Sequence, residues 1–327
     1  MTLVLRDQEV RELAAFPGAI KILAEGVIGA YRDAGDRPSA ERSTLQLPGG
    51  WLRIMSGSLP SEDILGFKAF HLRPGGVRYL CAIYRLSTGE SLALLDANYL
   101  TLARTSATAA AAAAHYWGDE PIVVAVIGSG VQAREGLVAL DSVCRVSEAR
   151  VFSPRASSRA RYAAELEGPL GIPVRPVVSP AEATDGADMI LCGTDSAGEV
   201  VLPAASVGSA RYVSSIGSTL PAQRELDGSL IASADRVIID TLDAVHESGD
   251  MIDAQAKSLD ESRLLILARF LSQAPERATG LTVYKSIGSI EQDLVLATSV
   301  WRQAERSGTG ETIDPIEATK SFHGMAR

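Results

Sequence analysis

Few of the residues that make metal sites, disulfides or aromatic clusters are present: 3 Cys, 4 His and 5% aromatic side chains in 327 residues. Cys81, Cys144 and Cys192 are widely spaced and odd in number, with no CxxC pair and no Cys/His cluster. Neither a disulfide framework nor a structural zinc site is expected, and no metal; buried thiols in a reducing compartment fit better. No apolar run approaches the roughly 20 residues that a membrane span needs. The nearest, Ala107–Ala114, is short and made of small side chains. The opening MTLVLRDQEVRELAAF reaches charged residues too soon for a signal peptide. Excess positive charge is also missing: 31 Lys and Arg against 40 Asp and Glu leave a net charge of −9. That argues against nucleic-acid binding by phosphate neutralisation and against a polybasic membrane anchor. A cytoplasmic protein with small-molecule partners is the expectation. What is present, 46% hydrophobic and 22% charged residues, is ordinary globular composition.

The segment from Asp7 to about Arg37 has helical periodicity, broken at Pro17-Gly18, and Pro38 opens a different region. Ser43–Leu47, Trp51–Met55, Gly66–Leu72, Val77–Leu86 and Ser91–Leu95 read as strands of an antiparallel meander, separated by Pro48-Gly49-Gly50, Pro74-Gly75-Gly76 and Ser87-Thr88-Gly89. Residues 98–117 are rich in Ala and read as a helix that can pack closely, ended by Gly118-Asp119-Glu120-Pro121. Strand and helix then alternate. Ile122–Ile127 is a continuous apolar run, as in a strand buried on both faces. Arg150–Phe152, Val174–Val177, Met189–Leu191, Tyr212–Ile216 and Val237–Ile239 follow, with helices at Arg159–Glu167 and Ser179–Asp185. This pattern indicates an α/β, doubly wound parallel sheet. From about Asp260 the chain reads as mostly helical, with a strand-like Leu281–Lys285.

Gly128-Ser129-Gly130-Val131-Gln132-Ala133 is G-x-G-x-x-A, placed between the IVVAVI strand and a helix opening near Val131. That context turns a weak motif into a dinucleotide fingerprint. Gly128 permits the tight turn, Gly130 lets backbone approach a pyrophosphate, and Ala133 lets helix and strand pack. The helix N-terminus offers free N–H groups to the anion. NAD enzymes usually carry an acid about 20 residues on, at the end of the second strand. Here no carboxylate occurs from Ala149 until Glu165; Ser153, Arg155 and Arg159 stand there instead. These suit a 2′-phosphate, so NADP(H) is favoured over NAD(H). The alternative is two solvated surface arginines.

Outside the nucleotide segment four residues stand out: Arg42 before a strand, Lys68 within GFKAFHL, Arg104 in the Ala-rich helix, and Asp227 after VSSIGSTLPAQREL. A cation inside an apolar element is costly unless paired. Each alone reads as a salt bridge or a snorkelling side chain. Together they read as a carboxylate site with one acid/base group.

At these residues the chain resembles the ornithine cyclodeaminase/μ-crystallin family. The matching blocks are Arg42…Met55, Gly66-Phe67-Lys68, TGESLALLDANYLTLARTSATA (88–109), VIGSGVQA (126–133), GSTLPAQRELD (217–227), Asp240…Glu247-Ser248-Gly249-Asp250 and YKSIGSIEQDL (284–294). The resemblance implies a Rossmann domain, 118–282, inserted in a smaller α+β substrate and dimerisation domain, 1–117 and 283–327, and a homodimer. It implies that Arg42, Lys68 and Arg104 hold a substrate α-carboxylate, with Lys68 also near the reacting nitrogen. Asp227 would be the acid/base, and Ser286 and Gly288 would lie near the nicotinamide. The implied chemistry is hydride transfer between nicotinamide and the α-carbon of an imino or amino acid, as in ketimine or imino-acid reductases and amino-acid dehydrogenases. Ornithine cyclodeamination and non-catalytic NADPH-dependent ligand binding are the alternatives.

Two departures bear on the substrate. Where cyclodeaminases place a Glu for the distal ammonium, this chain has Arg53, which favours a neutral or acidic side chain if it faces the pocket. Whether it does depends on strand register, because a slip of one residue reverses the face. The family's segment after the lysine is replaced by Ala69–Gly76. Alternation puts its His71 and Arg73 on the face opposite Lys68.

Overall fold

A computed structural model describes residues 1–14, 18–33, 42–196, 198–276 and 278–314. The breaks expected at Pro17 and Pro38 lie outside the described residues.

The first sheet contains β1 (Thr2–Leu5), β2 (Ser43–Leu47), β3 (Gly50–Leu59), β4 (Ile64–Arg73), β5 (Gly76–Arg85) and β6 (Ser91–Asp96). From β2 to β6 it is the expected antiparallel meander. Gly49 links β2 to β3, and Gly75 leads into β5, both at positive φ where L side chains are strained. Two strands of this sheet escape the sequence pattern. β1 pairs in parallel with β6, and a closing strand, Glu311–Ile313, pairs with β1. Both are three or four residues long, too short to show alternation.

Register fixes the faces. Arg53 lies opposite Phe70, and Met55 opposite Lys68. Arg53, Met55 and Lys68 therefore share the inner face. That face packs under the helices Gly18–Asp33 and Ile290–Ser307, whose Leu23, Leu294 and Val300 join Met55, Cys81 and Ile83 in one core. The row Ile54, Ala69, Leu80 lies on the other face, with Ile54 41% and Leu80 44% exposed.

The helix Asn98–Trp117 follows the expected bounds and ends at Gly118, φ 58°. Leu100, Ala103, Ala107 and Ala110, spaced i, i+3, i+7, i+10, join the core of the first sheet. Ala109, Ala112, Ala113, Tyr116 and Trp117 join the next core. Small side chains on both stripes allow this helix to pack against two cores at once.

The second sheet contains β7 (Pro121–Ile127), β8 (Arg145–Phe152), β9 (Val174–Pro176), β10 (Met189–Cys192), β11 (Tyr212–Ser215), β12 (Arg236–Ile239), β13 (Leu264–Ile266) and β14 (Thr282–Lys285). Its order is β13-β12-β14-β11-β10-β7-β8-β9 and its pairs are all parallel. β10, β11 and β14 are buried at every position, which explains their unbroken apolar text. The chain winds outward from β7 to β9 and returns to place β10 against β7. Ligands of such sheets bind in the crevice outside the strand ends at that reversal. β14 enters between β11 and β12, so the division drawn between 282 and 283 cuts this strand. The architecture is the α/β, doubly wound Rossmann sheet, here joined to a smaller α+β unit. Among the described residues no single helix is long and apolar enough to cross a membrane.

Candidate active site

At the reversal between β7 and β10 the Gly-rich turn opens the helix Val131–Asp141, with Gly130 as its N-cap. Gly128 has φ 113°, and a Cβ on it would meet the carbonyl oxygen of Gly193 at 2.5 Å. A Cβ on Gly193 would in turn press on the backbone of Ala133, at 2.9 Å. The turn after β7 and the loop after β10 thus interlock, and no side chain fits between them. Gly130 has nothing within 4 Å of its virtual Cβ, which leaves its backbone open to a pyrophosphate. Ser129 is half-buried and Val131 exposed in the same turn, and Ala133 is buried beneath it. The residues present fit a dinucleotide.

Ser153 is buried at the end of β8, and Arg155, exposed, is the N-cap of the helix Ala156–Leu170. Arg159 reaches back from that helix to the carbonyls of Ser153, 3.0 Å, and Pro154, 3.3 Å.

A cavity of about 310 Å³ lies between this turn and the inner face of the first sheet. Gly130, Val131, Gln132, Ser286 and Ile287 line it from the nucleotide side; Arg42, Arg53, Lys68 and Arg104 line it from the other. The sequence-predicted cations therefore do converge. Lys68 Nζ lies 2.6 Å from Asp293 Oδ2, and Arg104 Nε 3.1 Å from Asp293 Oδ1. Arg104 Nη1 also donates to Gln292 Oε1, 2.9 Å. Arg42 pairs with Glu247, 2.9 Å, and donates to the carbonyl of Gly288, 2.8 Å. Burial draws the Lys68 pKa down to about 8; Asp293 opposes that shift and Arg104 adds to it. Phe70 lies 5.2 Å below the Lys68 ammonium and stacks on Tyr79, a floor that also lines the cavity.

Asp293 and Glu247 are absent from the sequence reading, though both fall inside matched blocks. The signal was physical: buried cations need partners. Asp293 is in the first turn of the helix Ile290–Ser307, where the helix dipole favours negative charge. Gly288, φ 82°, is required just upstream, because a Cβ there would collide with the Arg104 guanidinium. Ser286 Oγ and the Gly288 N–H both donate to Asp240 at 2.7 Å, which ties this turn to the end of β12.

Asp227 requires correction. It does not line the cavity. Its carboxylate caps the short helix Gly228–Ser233 by accepting from the Ser229 N–H, 2.9 Å, and it meets Lys257 at 3.3 Å. Hydrogen bonds from Ser229, and then Lys257, hold its carboxyl below the usual carboxylate range. The loop after β11 turns back before Asp227; Gly217 and Thr219 are the parts that reach the cavity. Among the described residues Asp195, in the loop after β10, is the one carboxylate that lines it. His71 and Arg73 do not line it; Arg73 instead donates to the Pro48 carbonyl, 3.3 Å.

A second ionic cluster, also missed, lies under the nucleotide loops. Lys285 Nζ contacts Asp250 at 2.8 Å, Ser215 Oγ at 2.9 Å, and Ser218 at both its carbonyl, 2.7 Å, and its hydroxyl, 2.8 Å. Asp250 accepts the N–H of Glu225, 2.7 Å, and Glu225 accepts those of Gly217 and Thr194, 2.9 and 2.5 Å. Thr194 and Gly217 line the cavity, so this cluster fixes two of its loops.

Comparison with known proteins fits this geometry. Over 80% of its length the chain is 27% identical to a Delta(1)-pyrroline-2-carboxylate reductase of Bacillus cereus, covering 84% of that protein. It is 30% identical to the ketimine reductase mu-crystallin of Mus musculus, over 77% of this chain and 80% of that one. The structure of Thermococcus litoralis Delta(1)-pyrroline-2-carboxylate reductase, solved with NADH and L-proline, superposes with a TM-score of 0.86 at 24% identity. That match covers 95% of this chain and 100% of the other. Residues 7–308 match the ornithine cyclodeaminase/mu-crystallin family as a whole, and the chain belongs to that family.

Proposed function

We propose that the protein is an NAD(P)H-dependent oxidoreductase that reduces the C=N bond of a 2-imino acid, or oxidises the corresponding amino acid. The observation that carries this reading is one cavity lined by the Gly-rich turn on one side and four buried or half-buried cations on the other. The bound nicotinamide supplies a hydride to the imine carbon. The protein's residues do the rest. Lys68 and Arg104 have donors left after meeting Asp293, and these receive the α-carboxylate and fix the imine carbon in place. Lys68, with a pKa of about 8, gives a proton to the imine nitrogen during reduction and takes it back during oxidation. The Phe70 and Tyr79 rings keep water from the imine, which would otherwise hydrolyse.

NADPH is the preferred cofactor in this reading, on the strength of Ser153, Arg155 and Arg159 and the missing strand-end acid. The enzyme works as a cytoplasmic homodimer, which buries the apolar row of Ile54 and Leu80 and the neighbouring Leu45, 56% exposed. Three buried free thiols are consistent with that compartment.

The test is NADPH oxidation with 2-oxo acids plus ammonia or methylamine, and with cyclic imines. Turnover of at least one imine is expected. NADPH binding without turnover of any of them supports a binding protein instead, and efficient conversion of ornithine to proline supports a cyclodeaminase. Arg53 in the cavity wall counts against the latter, since a guanidinium repels the distal ammonium of ornithine.

A further inference from the structure

Of the four cations lining the cavity, three are paired. Lys68 and Arg104 share Asp293, and Arg42 has Glu247. Arg53 makes no hydrogen bond and no ion pair among the described residues, yet only 5% of it is exposed. Its Nε is buried without an acceptor. Its guanidinium carbon lies 5.6 Å from the centroid of the Trp51 ring. Asp195 also lines the cavity, and among the described residues it forms no ion pair with Arg53. Register leaves no doubt about the direction: Arg53 faces Phe70 across the strand pair and sits diagonally from Lys68 on the same inner face. Burial and the neighbouring Arg42 both lower its proton affinity, while Glu247 raises it. A guanidinium stays charged through such shifts.

A buried, unpaired charge is costly to keep. The ion pairs of its neighbours show what would relieve it. Lys68, Arg104 and Asp293 sum to one positive charge, which an α-carboxylate neutralises. Arg42 and Glu247 sum to zero. Arg53 leaves one further positive charge, with a planar fork of donors that suits a carboxylate. We propose that Arg53 receives a second carboxylate, so that the substrate is a dicarboxylic 2-imino acid and the product the matching acidic amino acid. The inference rests on the imino-acid reading above and names the substrate class of that site. The chemistry is unchanged: one hydride reaches the imine carbon, one proton the nitrogen, and one NAD(P)H is oxidised per C=N reduced.

The experiment compares kcat/KM for imines formed with ammonium from oxaloacetate and 2-oxoglutarate against those from pyruvate and 2-oxobutyrate. A preference of roughly 100-fold or more for a dicarboxylic substrate is expected, because a site built around a charged group rejects the analogue that leaves it unpaired. Arg53→Met and Arg53→Gln should each collapse that ratio toward unity. A native enzyme without the preference, or variants that lose both substrate types equally, would overturn the proposal and make Arg53 a contact for the α-carboxylate. Absence of turnover with every imine, cyclic ones included, would instead refute the reductase reading beneath it. Inhibition of the native enzyme gives a second measure that needs no variant. Succinate should compete far better than butyrate, and equal inhibition by the two counts against the assignment.

Discussion

Two lysines, Lys68 and Lys285, are equally buried and each faces an aspartate, Asp293 at 2.6 Å and Asp250 at 2.8 Å. Their surroundings differ. Lys285 spends its donors on Ser215, Ser218 and Asp250, and backbone N–H groups fill the remaining acceptors of Asp250. Lys68 has Asp293 and an aromatic ring, and opens on a cavity. A buried ion pair with every bond satisfied holds loops in place. One with donors to spare is set up to meet a ligand. Desolvation without enough compensation makes Lys68 able to change charge near pH 8.

The sharpest test of the contrast replaces each lysine by methionine. Lys68→Met should lower turnover by about 10²–10⁴-fold, the usual scale of a lost proton-transfer group, while denaturant unfolding shows a smaller stability loss than in the other variant. Lys285→Met should cost about 3–5 kcal/mol of stability, because Asp250 is left charged in a sealed site. Equal stability losses in the two variants would erase the distinction. The pH profile separates them next. Lys68 is protonated below a pKa of about 8, so imine reduction should fall as pH rises through that value and amino-acid oxidation should rise. A profile flat between pH 7 and 9 would remove Lys68 from proton transfer. Asp250 titrates in the opposite sense. Burial resists its ionisation, but Lys285 and the hydrogen bonds win and hold its pKa below the usual value. Its contribution to stability is therefore present at neutral pH and lost as acid protonates it. Smaller effects come from outside the two clusters. Arg155→Ala should narrow the preference for NADPH over NADH by about tenfold, since one charge-assisted phosphate contact is removed; equal affinities in the native protein would dismiss the contact. Asp227→Ala should cost only about 1 kcal/mol as a lost helix cap, with turnover near native. A large drop in kcat would restore it as the acid/base.

Elements with strong local signals were legible in the sequence. The helix 98–117, the meander and the run at β7 follow from composition, turn glycines and unbroken apolar text. So was convergence of Arg42, Lys68 and Arg104 on one cavity, because cations in apolar elements need a common reason; the direction of Arg53 was open in the sequence and is decided by strand register. Their partners were not. Asp293 and Glu247 lie about 190 residues or more away from the cations they meet, on elements whose docking no local pattern encodes. Asp227 misled for a related reason: it follows a strand end, but the loop's return decides which of its residues reaches the cavity. β14 shows the same limit, since its text reads as a strand but nothing in it states that it lies between β11 and β12.

The helix Asn98–Trp117 packs one stripe into each core through side chains no larger than a methyl group at most contacts. Its thickness therefore sets the spacing of the two sheets, and with it the width of the cleft in which Arg104 and the Gly-rich turn face each other. A valine at Ala107 or Ala112 would act as a shim. Such positions carry no chemistry of their own, and a comparison of reactive groups would pass over them. They are nonetheless where small changes in bulk could retune reach between cofactor and substrate, and where drift in sequence should be least tolerated.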